Sequence, residues 1–319
     1  MTGGGAGGGN APEPPGTGGG LGNVTAGNAT AGTPGVGGER RPVPTADSTD
    51  GRRTGPPDTL LRVTDRSPAT QASEPFKKLS IFLPMWNEQD YIERAVAAAI
   101  TECEALVDAG QIVDYEVIIV DDASTGATPR LADDLAAADP HVVAVHHAKN
   151  RKLGGAMKTG FASATGDLVL YSDADLPFDM AQVGQAIRLL RYYDADIVSA
   201  YRFDRTGEGA SRAVYTFFYN VLIRRLFGVR MRDINFAFKL CRREIFEHIE
   251  LRSEGSFIDA ELIIRARKLG YDVIQFGVDY FPRTRGESTL ASLGVIRTIL
   301  REMFELQSEL REITPLDRR

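Results

Sequence analysis

The chain has 319 residues and a formal net charge of −6, so its overall charge does not favour nucleic-acid binding. Its two cysteines, Cys103 and Cys241, lack a CxxC or Cys/His pattern, which excludes a zinc finger or a disulfide framework. The chain has no run of about 18 apolar residues and no signal-peptide pattern at its N-terminus, so we expect that it does not span a membrane.

Composition divides the chain into three parts. Residues 1–74 consist mainly of Gly, Pro, Thr, Ser and Ala, and such a segment cannot bury enough apolar surface to offset its ordering entropy. We therefore expect a disordered tail at 1–74, a single globular domain at 75–290 and a C-terminal amphipathic helix at 291–319. The globular part is long enough to bury a substantial core.

Short apolar runs alternate with helix-prone segments along the globular part. Such alternation is typical of an α/β fold with a mainly parallel sheet and helices on both faces. We expect Pro84 to end the first strand, because proline cannot continue a strand's hydrogen bonding. The predicted strands are 79–83, 115–120, 141–145, 168–171 and 196–200, and the predicted helices are 90–107, 128–138, 153–164, 180–192, 213–229 and 289–311.

Two carboxylates, Asp173 and Asp175, directly follow the apolar run 168–171. Open α/β sheets bind their ligands at the carboxyl ends of the strands. Mg²⁺ or Mn²⁺ prefers one or two carboxylates, with diphosphate oxygens completing the shell. The pair therefore indicates a metal site, and the alternative is a loop acid followed by a helix-start acid.

Polar clusters also follow the first two predicted strands, at 84–88 (Pro-Met-Trp-Asn-Glu) and 121–125 (Asp-Asp-Ala-Ser-Thr). Parallel strands bring these clusters and the Asp173 pair to one edge, across which a nucleotide would fit. The structural alternatives are a helix N-cap for Asp122 and a first-turn acid for Glu88.

A third polar segment, 150–158, opens a helix with Gly154 and Gly155, which permit close backbone approach of an anionic ligand. The chain lacks a G-x-G-x-x-G sequence after a strand and a G-K-[S/T] sequence. These absences count against dinucleotide oxidoreductases and P-loop nucleotidases.

Taken in order, these segments resemble the family 2 glycosyltransferases, which have the GT-A fold. Later segments resemble the branch that moves a sugar onto dolichyl or polyprenyl phosphate. The resemblance covers about residues 77–290 and is carried by 79–88, 120–125, 150–160, 166–175, 199–202, 233–239, 256–261 and 282–288.

The resemblance implies a role for individual residues. Asp173 and Asp175 would hold Mg²⁺ or Mn²⁺, Asp259 and Arg202 would be catalytic, and Arg283, Arg285 and Ser288 would meet the acceptor phosphate. The nucleotide sugar would be bound by Pro84, Asn87, Glu88, Asp122, Lys152, Asp173 and Arg202. Without the family, the three arginines are equally compatible with solvated surface charges, and Asp259 with an acid at a helix N-terminus.

The chain departs from the family pattern at two places. Family members usually have Asp-Gly-Ser where this chain has Asp122-Ala123-Ser124. They commonly have Asn-x-Gly-x-Gly where this chain reads Asn-Arg-Lys-Leu-Gly from Asn150, so that Lys152 takes the place of the first glycine.

The implied reaction is an inverting, metal-dependent transfer of a hexose from UDP-glucose or GDP-mannose to polyprenyl or dolichyl phosphate. A phosphate acceptor is already ionised and needs cations to position it, whereas a hydroxyl acceptor needs a general base, for which Asp259 is the candidate. The alternatives are a family 2 transferase with a hydroxyl acceptor on a glycolipid or glycan, and a non-catalytic nucleotide-sugar-binding protein.

The segment 213–229 has apolar residues at helical spacing and arginines near its ends. It fits either a membrane-interface helix or an ordinary core helix. We expect a cytoplasmic protein with peripheral contact to the inner face of the membrane, with the helix at 289–311 packed on the domain or in a homodimer. The four histidines have no metal-ligand or triad spacing and are interpreted as strand-end and helix-surface residues.

Overall fold

The computed structural model describes residues 74–203, 210–281 and 293–317, and in residues 210–217 only the backbone. Nearly all of the predicted tail and the predicted acceptor-phosphate residues Arg283, Arg285 and Ser288 lie outside this described part. The described residues form one sheet of seven strands, which are β1 (Phe76–Met85), β2 (Ile112–Asp121), β3 (Val142–His146), β4 (Leu168–Ser172), β5 (Ile197–Arg202), β6 (Phe238–Arg242) and β7 (Val273–Val278).

Helices connect most of the strands, as the alternating sequence pattern predicts. A short 3-10 helix follows β6 at Arg243–Glu247. The α-helices are α1 (Ile92–Asp108), α2 (Thr128–Ala138), α3 (Lys152–Ser163), α4 (Gln182–Tyr192), α5 (Ala210–Phe227), α6 (Ile258–Leu269), α7 (Leu293–Glu305) and α8 (Gln307–Glu312).

The sheet has the strand order β3-β2-β1-β4-β6-β5-β7. Strands β1 to β4 pair in parallel, and β5 pairs in parallel with β7. Strand β6 lies between β4 and β5 and runs antiparallel to both. The expected α/β class with a mainly parallel sheet is confirmed, and the parallel strands direct their carboxyl ends to one edge.

Two hydrophobic cores lie on opposite faces of the sheet. Alternation along β1 sends Leu79, Ile81 and Leu83 into one core with residues of α1 and α4, and Phe82 into the other with residues of α3, α5 and α6. Every one of these side chains is fully buried. The expected helical cover on both faces is therefore confirmed.

The prediction that Pro84 ends the first strand is wrong, because β1 continues to Met85. The structure shows why proline is tolerated at this position. Strand β4 pairs with β1 only from Leu79 to Phe82, while β2 continues alongside through Met85. Pro84 thus lies beyond the β4 ladder, where its missing N–H costs less.

The predicted helix at 289–311 is interrupted at Leu306, which separates α7 from α8. Both helices pack on the domain: Ile299, Met303 and Leu310 are buried in the same core as Phe257. Packing of apolar side chains therefore fixes the C-terminal segment against α5 and α6.

Candidate active site

The loops after β1 and β2 are joined by hydrogen bonds at the carboxyl edge of the sheet. The Asp122 N–H donates to the Met85 carbonyl (2.8 Å). The Asn87 N–H donates to Ser124 Oγ (2.9 Å), and Asn87 Oδ1 accepts from the Thr125 N–H (2.8 Å). The predicted Asn87 therefore uses its side-chain oxygen to hold the β2 loop in place.

Two histidines at the end of β3 bind the two buried carboxylates at the end of β2. His146 Nδ1 lies 2.9 Å from Asp121 Oδ2, and its Nε2 lies 3.1 Å from Asp133 Oδ1. His147 Nδ1 lies 2.7 Å from Asp122 Oδ1. Both histidines lie at a strand end, as predicted. They also hold the carboxylates at the predicted nucleotide-binding edge, a role that was not predicted.

Asp122 is not the N-cap of α2, which begins after Ala127, so that alternative is wrong. Its Oδ1 instead accepts from the Arg151 N–H (2.7 Å), and its carbonyl accepts from Asn150 Nδ2 (3.2 Å). Asp122 thus ties β2 to the start of α3. This contact joins the second and third polar segments of the sequence into one site.

Asp173 and Asp175 follow β4 and are both half-buried. The Tyr171 hydroxyl donates to Asp173 Oδ1 at 2.8 Å, and Arg94 Nη2 donates to the Asp175 carbonyl at 3.4 Å. Burial, reinforced by the charge of Asp173, holds the pKa of Tyr171 well above its usual value, so the phenol stays a hydrogen-bond donor.

The Asp173–Asp175 pair fits a divalent cation by its donor chemistry, since both side chains offer carboxylate oxygens from one short segment. Among the described residues, no group of three or more His, Cys, Asp or Glu side chains is arranged to hold a metal ion. A cation on this pair would need oxygens from a ligand to complete its shell.

The glycines at the start of α3 serve internal packing. A Cβ at Gly154 would overlap the backbone of Ser253 and Glu254, and the Gly154 N–H donates to the Glu254 carbonyl (2.9 Å). This N–H, at which we expected an anionic ligand, is therefore bound by the protein's own backbone. The predicted Lys152 is exposed at the first residue of the helix.

Backbone strain concentrates at the candidate site. Among the described residues, six other than glycine have a positive φ, and five of them lie at the site, four in its loops and one at the first residue of α3. Ala123 (58°) and Lys152 (60°) occupy the two positions at which the family commonly has glycine. This conformation is costly for residues with a Cβ. The other three site residues are Asn87 (56°), Leu176 (53°) and Asp233 (43°).

Arg202 is buried at the end of β5 and forms a two-pronged ion pair with Asp233. Its Nε lies 2.6 Å from Asp233 Oδ2, and its Nη2 lies 2.7 Å from Oδ1. Its guanidinium also lies 5.0 Å from the centre of the Tyr280 ring. The alternative of a solvated surface charge is therefore wrong for Arg202.

Asp259 lies in the first turn of α6, as its structural alternative predicted. It is only 2% exposed, and its Oδ1 lies 3.2 Å from Lys239 Nζ, which is 0% exposed. Lys239 also donates to the Phe236 carbonyl. Burial raises the pKa of the Asp259 carboxyl, against the opposing effect of Lys239. Lys239 pairs with Tyr171 across β4 and β6, so this ion pair adjoins Asp173.

Lys239 and Asp233 lie in the segment 233–239 that carries the family resemblance, but neither was among the predicted site residues. The signal for Lys239 was a single cation within the apolar run 236–241, since a buried lysine needs a buried partner. Beside this cluster, a cavity of about 260 Å³ opens at the end of β5. It is lined by Tyr201, Arg202, Phe203, Asn220, Met231, Arg232 and Asp233.

Other predicted donor residues lie at the same edge. Pro84 and Glu88 are half-buried in the segment after β1, and the Glu88 carbonyl accepts the N–H groups of Tyr91 and Ile92 at the start of α1. The structure therefore brings together Pro84, Asn87, Glu88, Asp122, Lys152, Asp173 and Asp175 along one side, and Arg202 and Asp259 beside β6.

Comparison with known proteins gives a consistent picture. Residues 80–250 match the family model described as glycosyl transferase family 2. The chain is 32% identical over 252 residues to the glycosyltransferase AglD of Haloferax volcanii, covering 77% of this chain and 40% of that protein. It is 30% identical over 177 residues to an undecaprenyl-phosphate 4-deoxy-4-formamido-L-arabinose transferase of Yersinia pestis, covering 55% and 52%. The chain thus spans about half the length of these curated relatives or less.

Two solved structures share the fold. A Mycobacterium tuberculosis glucosyl-3-phosphoglycerate synthase with Mn²⁺ and UDP-glucose has a TM-score of 0.53 at 20% identity, covering 76% of this chain and 81% of that one. The Pyrobaculum calidifontis mannosyltransferase PcManGT with GDP-mannose and Mn²⁺ has a TM-score of 0.52 at 18% identity, covering 75% and 69%. These similarities confirm the expected GT-A fold.

Proposed function

This chain belongs to glycosyl transferase family 2, and from that premise we propose that it transfers a hexose from a nucleotide sugar to a polyprenyl phosphate. The observation that carries the proposal is the position of Asp122 and the Asp173–Asp175 pair at the carboxyl ends of parallel strands in one sheet. A nucleoside would lie over the loops after β1 and β2, with its diphosphate directed towards β4.

Asp173 and Asp175 would hold Mg²⁺ or Mn²⁺. When bound, the cation would neutralise charge on the diphosphate leaving group. The hydrogen bond from Tyr171 would orient Asp173 for this task. The two solved structures were determined with Mn²⁺ and with different donors, UDP-glucose and GDP-mannose, and either nucleotide sugar remains a candidate donor here.

The environment of Asp259 favours a phosphate acceptor over a hydroxyl. A general base must reach the proton it removes, but Asp259 is buried and paired with Lys239. A phosphate oxygen needs no such base. It would attack the anomeric carbon in line, the bond to the diphosphate oxygen would break, and the nucleoside diphosphate would leave with inversion. A curated relative that bears undecaprenyl phosphate in its name supports this choice.

A product assay tests the proposal. The purified chain is incubated with Mg²⁺ or Mn²⁺, labelled UDP-glucose or GDP-mannose and a short polyprenyl phosphate, and the lipid is extracted. We expect metal-dependent label in the lipid, about 10²-fold or more reduced by Asp175→Ala, a range typical for loss of electrostatic stabilisation. Asp134→Asn, on an exposed carboxylate of α2, is the matched control. Unchanged transfer by Asp175→Ala would contradict the metal assignment.

Substitution of Asp259 separates the acceptor classes. If the acceptor is a phosphate, Asp259→Asn lowers the rate less severely, through the lost ion pair with Lys239, and the pH dependence of transfer stays that of the wild type. If a hydroxyl is the acceptor, the rate falls by about 10²-fold to 10⁴-fold, the usual contribution of a general base, and loses its dependence on the protonation of this carboxylate. Release of nucleoside diphosphate without labelled lipid would overturn the polyprenyl phosphate acceptor and retain the donor site.

We further propose that α5 contacts the membrane that holds such a lipid. Among the described helices, none is long and apolar enough to cross a bilayer. Helix α5 buries Tyr219 and Ile223 in the core, while Phe218 is 65% exposed. The exposed Arg224 and Arg225 follow on the same helix, and basic residues beside apolar ones suit an anionic lipid surface.

Vesicle flotation at low salt measures this contact. The wild-type chain is expected to float with vesicles containing anionic lipid and to be released by high salt. A Phe218→Ser, Arg224→Glu variant should remain in the bottom fraction of the gradient, without the vesicles. Arg130→Glu, the same charge change on α2, should float as the wild type does. Absence of wild-type flotation at low salt would refute the membrane contact.

A further inference from the structure

The loop of residues 252–257 precedes α6 and has three of its six N–H groups bound by two buried carboxylates. Glu261, on α6, accepts from the N–H groups of Arg252 (2.9 Å) and Ser253 (2.8 Å). Glu302, on α7, accepts from the Gly255 N–H at 2.8 Å. The N–H groups of Glu254 and Phe257 also act to lower the pKa of the Glu302 carboxyl. The family match ends at residue 250, so both the loop and α7 lie beyond it.

The opposite side of this loop contacts α3. The Glu254 carbonyl accepts from the Gly154 N–H at 2.9 Å, and Lys158 forms an ion pair with the Glu254 carboxylate. The loop is therefore held between α3 and α7. Helix α3 begins directly after Asn150 and Arg151, which bond to Asp122. The loop itself lies directly before α6, whose first turn carries Asp259.

Glu302 fits closely into the loop. It is 7% exposed, and a Cβ built on Gly255 would lie 2.9 Å from its Oε2, so a residue larger than glycine would require the carboxylate to shift. Burial raises the pKa of Glu302, while the loop's N–H groups oppose the rise. A carboxylate buried against several backbone N–H groups fixes their direction, because each of them lacks water as an alternative partner.

We propose that Glu302 is a positioning residue for sugar transfer. It anchors the loop 252–257, so that the first turn of α6 holds Asp259 against Lys239 beside the Asp173 pair. The C-terminal helix α7 is thereby a working part of the site, and its removal or displacement would misalign the acceptor side. This inference rests on the proposed function and adds a residue to it from outside the matched family domain.

The test compares three variants on the full chain. Glu302→Ala removes the acceptor oxygens, and Glu302→Gln keeps one for the Gly255 N–H. Glu305→Ala removes an exposed carboxylate of the same helix that pairs only with Arg301 among the described residues. The measurements are kcat and KM for the lipid acceptor, donor affinity by calorimetry, and amide hydrogen exchange of residues 252–258.

We expect Glu302→Ala to lower kcat by about 10-fold to 10²-fold, since misplacement of a site by about 1 Å has effects of this size. Donor affinity should stay within about twofold, and exchange should rise in 252–258. Glu302→Gln, which keeps one acceptor oxygen, should have a kcat between those of Glu302→Ala and the wild type, and Glu305→Ala should equal the wild type. If Glu302→Ala does not fold, a lowered kcat in folded Glu302→Gln supports the inference, and a wild-type kcat overturns it.

Two failures are distinguishable. A wild-type chain that labels no lipid overturns the proposed function, and the inference with it. A wild-type chain that labels lipid while Glu302→Ala matches Glu305→Ala in kcat overturns the inference alone. A loss that appears only as lower donor affinity would also overturn it, because the loop would then serve the donor.

Discussion

The two sides of the site are held together by different forces. On the donor side, the loops after β1, β2 and β3 depend on short hydrogen bonds and on strained backbone, as at Asn87, Ala123 and Lys152. On the acceptor side, buried ion pairs join distant segments, as in Arg202–Asp233 and Lys239–Asp259. The donor side is therefore sensitive to backbone conformation, and the acceptor side to the removal of a charge.

The difference matters because losing one kind of interaction destabilises the fold more than losing the other. Removing one partner of a buried pair leaves an uncompensated charge, whereas altering a partly exposed hydrogen bond or a strained residue shifts stability by less. Substitutions that break a buried ion pair on the acceptor side should thus lower the free energy of unfolding more than substitutions on the donor side. The following four predictions test that difference in order of decreasing size.

The largest effect is expected for Lys239→Met. This change leaves the Asp259 carboxylate buried without its cation, and breaking such a pair typically costs about 3–5 kcal/mol. Chemical denaturation of wild type and variant measures the loss. The double variant Lys239→Met, Asp259→Asn should regain part of it, and a double variant as unstable as Lys239→Met would contradict an origin in the unpaired charge.

A smaller loss is expected for Asp122→Asn on the donor side. The carboxylate oxygen bonds the Arg151 N–H and His147, and hydrogen bonds to charged groups contribute about 1.5–3 kcal/mol. Denaturation should show a loss within that range, and calorimetry should show weaker donor binding. A loss as large as that of Lys239→Met would remove the distinction between the two sides.

Ala123→Gly should stabilise the chain. Ala123 has a φ of 58°, and the left-handed conformation costs a residue with a Cβ about 1–2 kcal/mol, part of which glycine's greater freedom when unfolded offsets. A gain of about 1 kcal/mol in the free energy of unfolding is expected. As the control, Ala98→Gly within α1 should destabilise by a similar amount. A loss with Ala123→Gly would show that the backbone there is unstrained.

The smallest effect is the pH dependence contributed by His146. Its ring lies between the carboxylates of Asp121 and Asp133, so both nitrogens donate only in the protonated form. The hydrogen bond to Asp121 raises its pKa above the usual 6.5, with a further contribution from Asp133.

The stabilisation by His146 is therefore fully present below pH 6.5 and is lost as the pH rises through the raised pKa. Denaturation across this range should show the decline in the wild type. His146→Gln should lack it, and Asp133→Asn should shift it to lower pH. A decline that His146→Gln retains would assign the effect to another group.

Much of the donor side was predictable because its signals are local. Apolar runs marked β1 to β5, and α2 was predicted with its observed bounds. Polar residues after strands then identified Asp122, Asp173 and Asp175 as neighbours, since strand direction alone brings them to one edge. What the sequence did not indicate is how these side chains are held, as His147 is far from Asp122 in the chain.

The acceptor side was less predictable because its partners are distant in sequence. Strand β6 and helix α6 overlap segments that were interpreted as motifs, so their secondary structure was not recognised, and β7 lies in a segment for which no element was predicted. Arg202 and Asp233 come together only once β6 lies beside β5. A charged residue within an apolar run indicates a buried charge, but the sequence does not show which residue pairs with it. The contact between Glu302 and Gly255 was unpredictable for the same reason.

The antiparallel insertion of β6 has a consequence for synthesis. Both partners of β5, β6 and β7, leave the ribosome after it, and β4 lacks its second neighbour until β6 emerges. While the intervening segment is made, the nascent chain carries open strand edges on both β4 and β5, which invite pairing with other chains. This interval is the time of greatest aggregation risk, and chains that stop between β5 and β6 should accumulate as insoluble protein.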